Sequence, residues 1–216
     1  ESPPRGVHSK ALEVALDQGR SATVVLTGEP GSGKSALLGR VADRGASAGA
    51  AVAWGRCREV AQAQVLWPWS QILQHLAATD GGPDGGPGRD PALAELVRAG
   101  LVAGAVAGDG ADGGRPSPPR DPGEATALFP AVVRYLRRLA ADRPVLVVVD
   151  DAHWADEASL ELLAFAGPAL SADRVSFAVA WRHTEAGPPP ARRALRDLTR
   201  LPGLHRIELA GLPAEA

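Results

Sequence analysis

The sequence predicts an α/β fold in which a five-stranded parallel sheet lies between layers of helices. Short apolar runs rich in β-branched residues alternate along the chain with segments of helical periodicity. The first apolar run leads directly into a glycine-rich loop, GEPGSGKS at 28–35, and a later run, VLVVV at 145–149, ends in two aspartates. Ligands of open α/β sheets bind at the carboxyl ends of the strands, where both features are expected to lie.

In the first half of the chain, apolar spacing and capping residues define the elements. Leu12, Ala15 and Leu16 recur at helical spacing after Ser9, a residue suited to cap a helix. Runs such as 22–27 are typical of strands that are buried on both faces. The predicted elements are a helix over 9–18, strands over 22–27 and 50–54, a helix through Leu37, Leu38 and Val41, and a helix that opens at Trp67-Pro68-Trp69-Ser70.

The second half begins with a segment rich in Gly, Pro and Asp, residues 79–122, which is predicted to be an insertion of loops around a helix over 92–106. Asp121 can cap a following helix that has Pro122 at its first position. The apolar face of that helix would consist of Leu128, Phe129, Val132, Val133, Leu136 and Leu139. The remaining predicted elements are strands over 145–149, 175–181 and 205–209, a helix over 157–170 and an arginine-rich helix over 191–199.

The composition limits the functions that the chain can have. A formal charge of -2 and a pI near 6.2 argue against direct nucleic-acid contact, so DNA binding is expected only through a domain outside this segment. The single cysteine, Cys57, allows neither an internal disulfide nor a cysteine-cluster zinc site, which favours a cytoplasmic location. No run approaches the roughly 20 apolar residues of a membrane span. The absence of methionine suggests a segment of a longer protein.

The glycine-rich loop matches the pattern GxxxxGK[ST], in which small residues let backbone N–H groups face phosphate oxygens at a helix N-terminus. Lys34 would then reach the β- and γ-phosphates of a nucleotide, and Ser35 would ligate Mg²⁺. The expected nucleotide-binding residues are Gly28, Glu29, Pro30, Gly31, Ser32, Gly33, Lys34, Ser35 and Ala36. A chance glycine-rich turn is the alternative, and the flanking strand and helix argue against it.

The two aspartates in VLVVVDDAHWAD at 145–156 complete the predicted site. Asp150 suits Mg²⁺, directly or through a water held with Ser35, and Asp151 is placed to orient or deprotonate an attacking water. The alternative is that acids in this string only cap the next helix. That alternative fits Asp156 better than Asp150, because two acids at a buried strand end would repel each other without a cation.

Together, GEPGSGKS, DDAHWAD and the later AWRHTE resemble the signal-transducing ATPases with numerous domains (STAND), an AAA+-like group of P-loop NTPases. Within that group the chain is most similar to large ATP-binding transcriptional regulators of the LuxR family and their actinomycete relatives. The resemblance covers nearly the whole chain and implies one ATPase domain over 1–216 with strand order 5-1-4-3-2. It also implies ATP or ADP with Mg²⁺ as cofactors, weak ATP hydrolysis, a homo-oligomer on activation, and lid, winged-helix, sensor and DNA-binding domains elsewhere in the parent protein.

The resemblance assigns roles to single residues. Arg182 matches a sensing arginine with a catalytic role at the γ-phosphate, and a surface ion pair is an equally good explanation. His153 and Trp154 match the family string, and His153 is either a group that positions the attacking water or a hydrogen-bonded core histidine. Trp67-Pro68-Trp69 matches a family segment whose simplest role is packing. Arg200 is either an arginine finger for a neighbouring subunit or part of a solvated face.

Departures from the family pattern leave the function partly open. The chain has Arg5-Gly6-Val7-His8 where the family usually has a Gly-Arg-Glu string near the adenine. Asp151 stands where fast P-loop ATPases often carry glutamate, which predicts turnover below about 1 s⁻¹. No guanine-reading Asn-Lys-x-Asp string occurs, which favours ATP. The alternatives to a nucleotide switch are a turnover-driven ATPase or small kinase, and a vestigial oligomerisation module.

Overall fold

The computed structural model describes residues 21–59, 65–80, 90–102, 118–182 and 204–209. Its sheet has five strands, and their order confirms the predicted order 5-1-4-3-2, which is the same order read from the other edge of the sheet. Every neighbouring pair is parallel, and the order is β2-β3-β4-β1-β5. The strands are β1 (Thr23–Gly28), β2 (Ala51–Arg56), β3 (Val145–Asp150), β4 (Val175–Arg182) and β5 (Leu204–Leu209), each where the sequence predicts one.

The parallel register brings the carboxyl ends of the central strands to one edge of the sheet, where β1 and β4 end level and β3 ends two residues earlier. Gly28 at the end of β1 pairs with Arg182 at the end of β4. Asp150 ends β3, which lies on the other side of β4. These three strands are almost wholly buried, as expected where helices cover both faces of a sheet. In the outer strand β5 only Ile207 and Leu209 are buried.

Six α-helices and one short 3-10 helix connect the strands in the described ranges. None of these helices is long and apolar enough to cross a membrane. The helices are α1 (Lys34–Ser47), α2 (Trp67–Thr79), α3 (Pro91–Arg98), α4 (Pro122–Ala127), α5 (Phe129–Asp142) and α6 (Glu157–Ala169), and the 3-10 helix is Ala152–Trp154.

Two apolar layers hold the sheet, one on each face. On one face, Leu38 and Val41 of α1 share a buried cluster with Leu26 of β1. On the other face, α2, α3, α5 and α6 form a larger cluster in which Trp69 and Phe177 are almost fully buried. Burial of both sheet faces provides the main favourable free energy for this architecture.

The helix predicted after Asp121 is interrupted, which the sequence analysis did not foresee. Asp121 caps α4 as predicted, because its Oδ1 accepts from the Glu124 N–H at 2.9 Å. The chain then divides at Leu128 into α4 and α5, and Pro130 lies in the first turn of α5. Proline has no N–H to donate to the carbonyl four residues earlier, and its ring crowds that carbonyl. One continuous helix was therefore wrong, although the apolar face of α5 is buried as predicted.

The predicted insertion contributes to the core. The helix expected over 92–106 is shorter, because α3 ends at Arg98 and is followed by Gly100 with φ 66°. A glycine in the left-handed conformation is a common end to a helix. Leu93, Leu96 and Leu101 are buried in the larger apolar cluster. This part of the segment is thus packed into the larger apolar cluster, with α3 against α5, rather than being loop alone.

Several sequence predictions lie outside the described residues. They are the helices over 9–18 and 191–199, the Arg5-Gly6-Val7-His8 string and Arg200.

Gly28, at the junction of β1 and the loop, is predicted to be intolerant of a side chain. A Cβ atom there would lie 2.6 Å from the Leu209 carbonyl oxygen and 2.7 Å from the Ser32 Oγ. Gly28→Ala should lower the free energy of unfolding by about 1–3 kcal/mol, because the backbone of β5 would have to shift. Urea unfolding followed by circular dichroism measures this change.

Gly39→Ala in α1 is the matched control, because a Cβ atom at Gly39 would meet nothing within 4 Å. Removing a glycine from a helix interior should leave the stability unchanged or raise it by up to about 1 kcal/mol. Equal stability losses in the two variants would contradict the assigned close contact with β5.

Candidate functional site

The loop between β1 and α1 is shaped by glycines with left-handed backbone conformations. Gly33 is the N-cap residue of α1 with φ 87°, and Gly31 has φ 78°. Only glycine adopts such angles without a steric penalty. Among the described residues, no side chain caps the first turn of α1. The N–H groups of this turn therefore have no side-chain partner and, with the positive end of the helix dipole, form a suitable site for an anion.

Lys34 is folded onto the loop that precedes it. It is only 6% exposed, and its Nζ donates to the Gly28 carbonyl oxygen at 2.9 Å, the Glu29 carbonyl oxygen at 2.7 Å and the Ser32 Oγ at 3.4 Å. Burial lowers the pKa of the ammonium group, Asp151 opposes this effect and Arg182 adds to it. The three donors of the ammonium group are thus held by acceptors that phosphate oxygens could replace.

Ser35 and Asp150 lie close together although 115 residues separate them. The Ser35 Oγ donates to the Asp150 Oδ1 at 3.1 Å, and the same carboxylate oxygen accepts from the Asp151 N–H at 3.0 Å. The Asp150 carbonyl oxygen accepts from the Cys57 N–H, which ties the end of β3 to the residue after β2. Mg²⁺ prefers such oxygen ligands and usually keeps several waters. A hydroxyl and a carboxylate at an open strand end fit that preference.

Asp151 turns towards Arg182 instead of extending β3. Its backbone is in the left-handed region, with φ 52° and ψ 41°, which aspartate tolerates better than most residues. The Asp151 Oδ1 lies 3.9 Å from the Arg182 Nε, and both side chains are about one-third exposed. They face an open cleft of about 290 Å³, lined by Pro30, Gly31, Gly33, Lys34, Ser35, Ala36, Asp151 and Arg182.

His153 is a buried side chain without a hydrogen-bond partner among the described residues. It is 8% exposed, and neither ring nitrogen has a partner within hydrogen-bond distance. Its Nδ1 lies 3.9 Å from the Asp151 Oδ1. Burial lowers the pKa of the imidazole to about 4, and the charges of Arg182 and Lys34 add to the shift. His153 is therefore neutral at physiological pH, and the core interpretation holds except for the expected hydrogen bond.

The helix-cap interpretation of Asp156 and the packing interpretation of Trp69 are confirmed. Asp156 caps α6, because its Oδ1 accepts from the Ser159 N–H at 3.0 Å. The same oxygen accepts from the Leu66 N–H at 3.1 Å, which joins the start of α2 to the start of α6. Trp69 is 1% exposed and its indole N–H donates to the Ser159 carbonyl oxygen at 3.0 Å. These residues join α2 to α6 and do not line the cleft.

The sequence analysis missed the contact that Arg182 makes with Trp154. The Cζ of Arg182 lies 5.9 Å from the centre of the Trp154 ring. Trp154 ends the 3-10 helix after β3, whereas Arg182 ends β4, so neighbouring strand ends supply the two residues. Both residues belong to strings that carry the family resemblance, but their separation in the sequence gives no sign of the contact.

Comparisons with known proteins agree with this architecture. A sequence model of the AAA ATPase domain matches residues 4–179. The structure is similar to that of Cdc6p from Pyrobaculum aerophilum, with 15% identity and a TM-score of 0.51, over 97% of this chain and 46% of that one. The ORC2 protein of Aeropyrum pernix, in ADPNP-ADP complexes, gives 14% identity and a TM-score of 0.48 over 97% and 49% of the two chains.

The chain thus spans about half the length of these two solved structures. At 15% identity, the likeness to Cdc6p shows a shared fold: a parallel five-stranded sheet in the order of the AAA+ P-loop NTPases. No curated protein matches the chain in sequence.

The buried neutral His153 predicts a loss of stability in acid. An unfolded histidine titrates near pH 6.5, so between about pH 6.5 and 4 the unfolded chain binds a proton that the folded chain does not. The contribution of His153 to stability is therefore complete above this range and is lost as the pH falls through it. His153→Gln should remove on the order of 2 kcal/mol of the acid-induced loss between about pH 7 and 4.5.

Urea unfolding of wild type and variant at both pH values measures the difference in slope. His75→Gln is the control, because His75 is an exposed histidine on α2. Identical pH slopes in wild type and His153→Gln would contradict the assignment of a neutral buried imidazole.

Proposed function

The chain belongs to the AAA ATPase domain family, and from this premise we propose that it binds ATP and ADP with Mg²⁺ and acts as a slowly hydrolysing nucleotide switch. The observation that carries the proposal is the hydrogen bond between Ser35 and Asp150 at 3.1 Å. It joins the two motifs that nucleotide chemistry requires, at the edge of the sheet where ligands of this fold class bind. Lys34 and Arg182 bring two positive charges to the same cleft.

The loop residues 28–36 would bind the phosphates. Backbone N–H groups at the start of α1 would donate to phosphate oxygens, as the left-handed glycines allow. Lys34 would exchange its bonds to the Gly28 and Glu29 carbonyl oxygens for bonds to the β- and γ-phosphates. This exchange costs little, because the ammonium group is charge-paired with phosphate in place of neutral carbonyls.

Ser35 and Asp150 would hold Mg²⁺, which supplies positive charge that neutralises the phosphate oxygens. Asp151 would accept a proton from, or orient, the water that attacks the γ-phosphate. Arg182 would contact the γ-phosphate and report its loss. Among the described residues of this cleft, Asp151 and Arg182 are each other's nearest opposite charge, at 3.9 Å. A γ-phosphate would compete with Asp151 for Arg182 and leave the carboxylate free for the water.

We further propose that the chain is a single ATPase domain of a multidomain signalling or transcriptional regulator in the cytoplasm. The net charge of -2 supports a division of labour in which DNA is bound through another domain. The resemblance to STAND-type and LuxR-family regulators supports intramolecular partners for this domain and a homo-oligomer on activation. The Gly-, Pro- and Asp-rich composition of residues 79–122 supports their interpretation as an insertion within this domain.

Substitution of Lys34 provides the first test of this function. Lys34→Ala should weaken Mg-ATP binding at least tenfold, because two or more charge-assisted hydrogen bonds to phosphate are lost, each worth about 1.5–3 kcal/mol. Calorimetric titration of Mg-ATP and Mg-ADP into both proteins measures the change. Arg40→Ala, which removes a positive charge from the exposed face of the same helix, should leave both affinities unaltered.

A phosphate-release assay on the same samples separates the switch from a turnover-driven enzyme. A rate below about 1 s⁻¹ that disappears in Lys34→Ala supports the switch, and multiple fast turnovers support an enzyme whose output is hydrolysis itself. Absence of binding in the wild type would contradict the proposal.

Ser35 is predicted to act through the metal. Ser35→Ala should weaken ATP binding in the presence of Mg²⁺ by about tenfold and have little effect in EDTA, because the hydroxyl ligates the ion rather than the phosphate. Ser47→Ala is the matched control on the same helix, since the Ser47 Oγ donates only to the local Asp43 carbonyl oxygen at 2.8 Å. Equal losses with and without Mg²⁺ would assign Ser35 a structural role instead.

A further inference from the structure

Trp154 lies beside the cleft without lining it and supports the side chain of Arg182. The Arg182 Cζ is 5.9 Å from the Trp154 ring centre, within the range of a cation–π interaction. Trp154 is half-buried, and its ring is packed at 5.1 Å against the His153 ring. The indole is thus held in place by its contact with His153, and the Arg182 side chain that it contacts lines the cleft.

Arg182 needs such support because its other ionic contact is long. Its Nε lies 3.9 Å from the Asp151 Oδ1, and the arginine side chain is 35% exposed. An exposed ion pair of this length contributes about 1 kcal/mol at most. A long arginine side chain loses up to about 2 kcal/mol of conformational entropy when it is fixed in one place. An aromatic face that restricts the guanidinium before the ligand binds reduces the conformational entropy that is lost on binding.

We propose that Trp154 is a positioning residue that holds Arg182 at the cleft and thereby sets the preference of this domain for nucleoside triphosphate over diphosphate. The inference rests on the proposed function, because it concerns how the same cleft distinguishes its ligands. Loop residues 28–36 are available to both nucleotides. Only a ligand with a third phosphate is expected to extend to Arg182, so support of that arginine acts on one ligand and not on the other.

A purely structural role for Trp154 makes a different prediction. If the ring only packs the 3-10 helix against the core, its removal should lower the thermal stability and weaken both nucleotides by the same factor. A positioning role changes the ratio of the two affinities, and it does so only while Arg182 is present. The ratio and its dependence on Arg182 therefore separate the two roles.

The experiment measures Mg-ATP and Mg-ADP affinities by calorimetry in six forms of the chain. They are wild type, Trp154→Leu, Trp154→Phe, Arg182→Ala, the double variant Trp154→Leu with Arg182→Ala, and Trp54→Leu. The last is a matched control, because Trp54 also carries an arginine over its ring, Arg56 at 5.5 Å, and neither residue lines the cleft.

The expected result is a three- to tenfold loss of ATP affinity in Trp154→Leu with ADP affinity unchanged within about twofold. Trp154→Phe should retain most of the preference, because a phenyl ring also accepts a cation on its face. Trp54→Leu should retain all of it. In the double variant the leucine should have no further effect beyond that of Arg182→Ala.

Two results would overturn the inference while the proposed function stands: an unchanged ATP-to-ADP ratio in Trp154→Leu, or the same loss from the leucine with and without Arg182. Failure of the wild type to bind either nucleotide would overturn both. A nucleotide-free measurement also applies if Trp154→Leu does not fold. The Arg182 Nε–H resonance of the wild type should show a ring-current shift by NMR, and a resonance at its ordinary position overturns the inference.

Discussion

The parallel register of β1, β3 and β4 is the constraint on which the rest of the site depends. Because the three strands end at the same edge of the sheet, Gly28 pairs with Arg182, and Asp150 ends the strand on the other side of β4, although β1 lies far from β3 and β4 in sequence. The helix that follows β1 then begins at the same edge, so that Ser35 reaches Asp150. A shift of one residue in a strand would turn the side chains of that strand to the opposite face of the sheet.

Close packing at the strand ends secures this register. The Leu209 carbonyl oxygen of β5 approaches Gly28 so closely that any Cβ atom there would collide with it. The same holds at Gly55 in β2, where an added Cβ atom would lie 2.7 Å from the Pro68 carbonyl oxygen of α2. Glycines at these positions let the backbones of neighbouring elements meet. The backbone is therefore closely packed at these two glycines, at the edge of the sheet that carries the candidate site.

The cleft is lined by two cations, Lys34 and Arg182, and by the Asp151 carboxylate, and a second carboxylate, that of Asp150, accepts a hydrogen bond from the lining residue Ser35. Each group has contacts that stabilise it without a ligand, but these contacts are weak or are made to neutral atoms. Asp151 also adopts a left-handed backbone, a conformation that proteins tend to keep at functional sites.

The sequence by itself determined the five strands, the loop and the two aspartates, because periodicity, glycine spacing and charge are local properties that a single chain displays directly. The order of the strands was predicted only through the family resemblance. Pro130 also indicates a helix break in the sequence, but the continuous apolar pattern of residues 128–139 led to the prediction of a single helix. Tertiary structure alone decided that Trp154 lies beside Arg182 and that His153 is buried with no hydrogen-bond partner for its ring nitrogens among the described residues. The physical reason is that these contacts join residues on different strands and loops, where the packing of the whole sheet edge, and not the neighbouring sequence, sets distance and burial.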